Sequence, residues 1–258
     1  MFDISLDLYV VSGKNAYFNL QAETTIGTTW ALDVDFEAGG DVIVRSGTDG
    51  TYCTTTYTQN QWHTFSLTIN LNTNCWEAFL YGGSIGTFSN TNNKVASLDL
   101  YPIASSEFYV DDVSFNYTPY TLLATNAAPA GTDMIGSIAG SNVYPTVDVK
   151  NLGTNTITSY DVTINYNGSN YTENITGASL ASLATETVTF TTPITLVAGT
   201  QAVTTTISNV NGLTNDDDPT DDVGCAMTID PVVPAAGKLV IGEEATGTWC
   251  GWCPRGAV

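Results

Sequence analysis

Cations are scarce in this sequence. Only 6 Lys and Arg stand against 26 Asp and Glu in 258 residues, a formal net charge of −20. Such a surface repels the phosphate backbone of nucleic acids and the headgroups of anionic membranes, so DNA, RNA and acidic lipid are excluded as partners. Long apolar runs are missing too. Nothing approaches the roughly 18 consecutive apolar residues of a membrane-crossing helix, and no cationic start followed by an apolar run stands near Met1. Histidine is nearly absent: His63 is the one copy. His63 lies between Cys53 and Cys75, but no second His and no third Cys is near them to complete a zinc site. Charged residues make up only 12% of the chain, which separates it from Lys/Glu-rich disordered or helical proteins and leaves a surface of Thr, Ser, Asn and Gly.

What is present suffices for packed cores. The hydrophobic share is 43%, and the length suits two domains of ordinary size. Period-2 alternation runs through residues 1–117. In FDISLDLYV, Phe2, Ile4, Leu6, Leu8 and Val10 share a face; in WALDVDFE, Trp30, Leu32, Val34 and Phe36 do; WHTFSLTINL turns His63, Phe65, Leu67, Ile69 and Leu71 inward and Trp62 outward. Strands recur every ten to fifteen residues with Gly/Asn/Ser turns between them, the pattern of an antiparallel sandwich. Near the end, EFYVDDVSF changes phase, which predicts a bulge at Asp111 or Asp112.

The alternation assigns provisional roles. Trp30 and Trp76 keep company with aliphatics and read as core. His63, beside Phe65, reads as a buried, hydrogen-bonded imidazole rather than a base. The outward set Tyr17, Asn19, Gln21, Asp33, Asp35 and Trp62 mixes aromatic faces with amides and carboxylates, as stacking on and hydrogen-bonding to a sugar requires; the same set would equally clothe a sheet face in water. Cys53 and Cys75 stand in β-patterned sequence and are expected to form a disulfide, with two free thiols as the alternative, leaving Cys225 unpaired. That disulfide places the chain outside the cell. The adjacent acids Asp111 and Asp112 could hold a structural calcium ion.

SGKNAYFNLQAE, WALDVDFEAGG, QWHTFSLTINLNTNCWEAFLYG and FYVDDVSF together resemble the concanavalin/laminin-G-type jelly rolls of large surface proteins from Gram-negative bacteria that use type IX secretion. The resemblance implies a sugar-binding, adhesive or spacer unit. It also implies one or two further strands ahead of FDISLDLYV, so that Met1 would not be the biological start. The E-x-D-x-x-E strand motif of the family's hydrolases does not occur.

Alternation returns in residues 118–234, where Tyr160, Val162, Ile164 and Tyr166 share a face and Asn167-Gly168 marks a hairpin turn. Seven or so short strands suggest an immunoglobulin-like sandwich, and VDVKNLGTNTITSYDVTINYNG resembles the Ig-like spacers of bacterial surface proteins. NDDDPTDD gathers Asp216, Asp218 and three further acids, but without the Gly and the bidentate Glu of an EF-hand loop. It reads either as a solvated acidic loop or as a calcium site.

A Pro-containing linker, PVVPAAG, leads into residues 235–258 and their TGTWCGWCPRG. C-x-x-C at the start of a helix lowers a thiol pKa for disulfide exchange. The motif is similar to that of thioredoxin-like domains in bacterial outer-membrane lipoproteins and secreted proteins, which makes Cys250 the attacking and Cys253 the resolving thiol of a parent chain. The expectation for these 258 residues is an all-β extracellular binding or adhesion module, with a polysaccharide or another surface protein as partner and no nucleic acid. Its alternatives are the non-catalytic part of a thiol–disulfide oxidoreductase, or a structural protein assembling through strand edges.

Overall fold

The structure, a computed structural model, describes residues 1–46, 50–134 and 138–237. It is all-β. Among the described residues the helical content is one short 3-10 turn, Val210–Gly212, as expected of a chain whose apolar residues alternate rather than recur every three or four positions.

Ten strands build the first sandwich: β1 (Phe2–Val10), β2 (Ala16–Gln21), β3 (Trp30–Phe36), β4 (Asp41–Ser46), β5 (Gly50–Thr56), β6 (Trp62–Asn70), β7 (Cys75–Leu80), β8 (Gly83–Phe88), β9 (Ser97–Asp99) and β10 (Phe108–Tyr117). They form two five-stranded sheets, ordered β10-β1-β6-β7-β8 and β5-β4-β3-β2-β9. The faces of the two sheets meet in one core that includes Leu6, Leu8, Phe18, Leu32, Phe36, Phe65 and Trp76. Burial of these side chains, at roughly 1.5–3 kcal/mol each, is the main force closing the sheets. The expected bulge is present: Ser5 pairs with Ser114 but Asp7 with Asp111, and Asp112 has φ 47°.

The second sandwich contains β11 (Ala127–Asp133), β12 (Asn142–Val143), β13 (Thr146–Asn151), β14 (Ile157–Tyr166), β15 (Ser169–Leu180), β16 (Thr185–Thr189), β17 (Ile194–Thr195), β18 (Gln201–Ser208) and β19 (Met227–Ile229). Its sheets are β11-β13-β16 and β15-β14-β18-β19, with the pair β12-β17 beside them. A separate core draws on residues 127–229, with Tyr160, Val162, Ile164 and Tyr166 from one face of β14 all buried. Asn167 (φ 49°) and Gly168 (φ 74°) make the two-residue turn between β14 and β15. Left-handed backbone at both central positions matches the twist of the flanking strands, which is why Asn-Gly suits that turn.

The disulfide differs from expectation. Cys75 is bonded to Cys225, not to Cys53, which carries a free thiol. The reason lies in strand parity. Trp76 points into the core, so its neighbour Cys75 points out, toward the loop that carries Cys225. Cys53 packs against the core of the first sandwich instead, close to Gly86. A side-chain carbon built on Gly86 would stand 2.5 Å from Cys53 Cβ, so this crossing admits only glycine.

Candidate functional site

The site grows from the pairing of β2 with β3. Tyr17 lies opposite Asp35, Asn19 opposite Asp33, and Leu20 opposite Leu32. Leu20 and Leu32 enter the core, so the polar residues between them share the outer face. The register then slips by one residue: Gln21 pairs with Trp30, and Ala31 is the extra residue of a bulge. This slip overturns the assignment of Trp30 to the core. A one-residue insertion moves a side chain to the other face, and Trp30 stands outside, 40% exposed, while Ala31 is buried. Trp76 is fully buried, as its pattern suggested.

A chain of hydrogen bonds runs along the outer face. The Gln21 side-chain amide donates to Asn19 Oδ1, Asn19 Nδ2 donates to the Tyr17 hydroxyl at 3.2 Å, and that hydroxyl donates to Asp33 Oδ1 at 2.5 Å. The Gly27 amide donates to Gln21 Oε1 at 3.0 Å and ties the loop before β3 to the same chain. Burial, reinforced by the Asp33 carboxylate, raises the Tyr17 pKa and keeps its proton in place as a donor. Asn19, Gln21, Asp33 and Asp35 are all buried although they face away from the core, because neighbours in this network cover them. Asp35 has an Arg45 nitrogen 2.7 Å from Oδ2, off the line for a hydrogen bond. Burial raises the Asp35 pKa, the Arg45 charge lowers it and the nearby acids Asp33 and Glu37 raise it, for a net rise.

Above this network lies a groove of about 660 Å³. Tyr17, Asn19 and Asp33 form its floor, Asp99 of β9 lies opposite Asn19, and Trp30 and Tyr101 stand at its rim. Tyr101 is 57% exposed. Of the expected set, then, Tyr17, Asn19 and Asp33 come together in the groove, Gln21 holds Asn19 by its hydrogen bond, and Asp35 lies outside the groove, beside Arg45. Trp62 does not join them. It lies on the other sheet, against Tyr9 with ring centroids 5.6 Å apart, because outward parity fixes a face without saying which sheet carries it. Trp30, Asp99 and Tyr101 escaped the sequence reading. The alternation in SLD could have suggested Asp99; Tyr101 lies outside any strand, where parity gives no signal.

The remaining candidates divide. His63 is buried, with Nε2 2.6 Å from the Thr58 carbonyl and Nδ1 on the Tyr81 hydroxyl. Burial lowers its pKa, against the Thr58 hydrogen bond. Asp111 and Asp112 sit on the exposed bulge of β10, where Asp111 Oδ1 accepts from the Asp112 amide. Asp216 and Asp217 act as backbone caps, accepting from the amides of Ala127 at 2.9 Å and Thr125 at 2.8 Å. Asp218 accepts from Thr220. Among the described residues no group of three or more His, Cys, Asp or Glu side chains is arranged to hold a metal ion. Asp221 accepts from Asn126 Nδ2 at 3.0 Å, while its other oxygen is buried with no hydrogen-bond partner. Burial, with the charges of Asp218, Asp216 and Asp222 added, pushes its pKa up to about 7 despite the Asn126 bond; Asp222 is pushed up to about 6 by burial and by Asp216 and Asp218. Cys250 and Cys253 lie outside the described residues.

No family model matches the chain, and no curated protein does either. Solved structures similar to parts of it include a CARDB domain from Pyrococcus furiosus determined with di-metal ions, at 20% identity, TM-score 0.35, 45% of this chain and 99% of that one. The galectin LEC-6 of Caenorhabditis elegans matches at 17% identity and TM-score 0.33 over 44% of this chain and 81% of its own. Sheep galectin-11, solved with glycerol, matches at 14% identity and TM-score 0.33 over 45% and 88%. Likeness at this level leaves function to the geometry.

Proposed function

We propose that this chain is an extracellular binding module of a surface protein, and that the groove on its first sandwich takes a neutral polysaccharide. The observation that carries the reading is the exposure of Trp30 and Tyr101 beside the fixed row Asn19–Tyr17–Asp33. Pyranose rings offer an apolar face to an aromatic ring and hydroxyls at their edges, and this groove supplies both complements in one place. The row is held by its own hydrogen bonds before any ligand arrives, so little ordering has to be spent on binding. Asp33 and Asp99, on a chain of net charge −20, disfavour anionic sugars. The Cys75–Cys225 bond supports an oxidising compartment.

A glycan array probed with the 258-residue chain tests this. Neutral glycans are expected to bind, Trp30→Ala to weaken them about tenfold, the worth of roughly 1.4 kcal/mol of lost stacking, and sulfated or uronic acid glycans to stay unbound. A blank array, or binding indifferent to Trp30→Ala, discards the groove as the site.

A further inference from the structure

One side of the first sandwich is open. Among the described residues β10 ends its sheet, pairing with β1 alone, and the facing sheet ends in β9, only three residues long. Thr118 exchanges both backbone hydrogen bonds with Met1, so by the alternation of an antiparallel ladder Tyr117 and Phe115 turn their N–H and C=O groups the other way, to the unpaired edge. Phe115 lies directly opposite Ile4, whose side chain is in the core. Its ring therefore points to the inner face of the sheet, yet it is 75% exposed because β9 is too short to cover it. Beneath it runs a cleft of about 250 Å³ with Ile4 and Leu20 at its base and Phe2, Val95, Leu98 and Val113 around it.

We infer that this cleft and edge accept an extended segment of a separate polypeptide, added antiparallel to β10, with apolar residues at alternate positions and a Lys or Arg facing Asp111 and Asp112. The row of directional backbone groups beside the cleft specifies a β-strand, because neither a sugar nor an acyl chain supplies alternating N–H and C=O at strand spacing. Alternate side chains of an added strand enter the space between the sheets and cover Phe115 and Ile4. Charge decides the partner. Asp111 and Asp112 stand exposed near the middle of β10, so a second copy pairing about a two-fold axis would bring its own two acids against them, on top of a net charge of −20 on each chain. A cationic strand meets no such repulsion. This surface faces a different way from the groove at Trp30, and nothing in it depends on sugar binding.

The test uses a panel of synthetic ten-residue peptides with Val, Ile or Phe at alternate positions and, at the centre, either two Lys, two Glu or one Pro. Binding to the full chain is followed by interferometry, and the Phe115 and Tyr117 amides by hydrogen exchange. Lys peptides are expected to bind and to slow exchange at both amides. Glu peptides should bind at least tenfold more weakly, and Pro peptides not at all. Phe115→Ser, at a position already exposed and so harmless to folding, should weaken the Lys peptides at least tenfold. Asp111→Asn with Asp112→Asn should abolish the preference for Lys over Glu. Equal binding of the Pro peptides, unchanged amide exchange, or no binding by any member at millimolar concentration would overturn the inference. So would a dimer in light scattering that Phe115→Ser dissolves, which would make the occupant a second copy.

Discussion

Cys75, at the start of β7, is bonded to Cys225 in the loop before β19, with Cα atoms 5.0 Å apart and a sequence separation of 150. The bond joins the outer surface of the first sandwich to the second. Closing a loop of that length removes about 5 kcal/mol of conformational freedom from the unfolded chain, so Cys225→Ala is expected to lower the unfolding free energy by up to that amount, and the thermal midpoint with it. Cys53→Ala should do much less. A digest without reductant should contain one linked Cys75–Cys225 peptide. Cys53, its thiol pushed up to about 11 by burial, should resist alkylation until the chain unfolds. A Cys53–Cys75 peptide in that digest would refute the pairing.

Tyr17→Phe removes the hydroxyl that links Asn19 to Asp33. Both partners are buried, so the change leaves them short of a hydrogen bond and is expected to cost about 1–3 kcal/mol. Sugar affinity should fall with it, because the floor of the groove loses its fixed geometry. Trp62→Ala, on the other sheet, should leave affinity unchanged. Denaturant melts and titrations of both variants decide the matter.

Asp221 gives a pH dependence of definite sign. Its folded-state pKa of about 7 lies above the ordinary 3.8, so the folded chain holds a proton that the unfolded chain releases. The stability tied to that proton is complete below the ordinary value and disappears as pH rises through about 7. The melting temperature is expected to be higher at pH 5 than at pH 8, and Asp221→Asn to flatten most of the difference, with Asp222 supplying a remainder of the same sign. Asp230→Asn, an exposed change of equal charge, should not flatten it. Equal effects from the two would trace the dependence to overall charge.

His63 gives the opposite sign. Its folded pKa is depressed below 6.5, so its contribution is present above the ordinary value and is lost as pH falls through the folded one. As the one histidine, it yields a single imidazole titration by proton NMR, with a midpoint expected below 6.5. His63→Ala should cost about 2–3 kcal/mol by emptying the buried space that the ring fills against Phe36 and Tyr57. A titration at or above 6.5 would contradict the burial of the ring.

Much of the fold could be read from alternation. The inward rows of β1, β6 and β14, the turn at Asn167-Gly168, the bulge at Asp112 and the interior place of His63 all follow from local pattern, because strand geometry is periodic and its punctuation is chemical. The failures occur where a long-range fact overrides a local one. Trp30 continues the parity of Leu32, and nothing in WALDVDF announces that β2 and β3 slip by one residue there. Cys53 and Cys75 are near in sequence, but the alternation that puts Trp76 inside also puts Cys75 outside, and that clue points away from Cys53. The groove needed three separate segments, around Tyr17, Trp30 and Tyr101, to be brought together by sheet order.

The Cys75–Cys225 bond also governs how this chain bears tension. A pull applied through its two ends travels along the backbone to Cys75, crosses the sulfur bridge and leaves through Cys225. The stretch between them, about 500 Å of contour at full extension, stays out of the load path while the bridge is intact. The second sandwich up to the end of β18, and the β7–β10 side of the first, are thus sheltered from that pull, and reduction of one bond would release all of that hidden length at once.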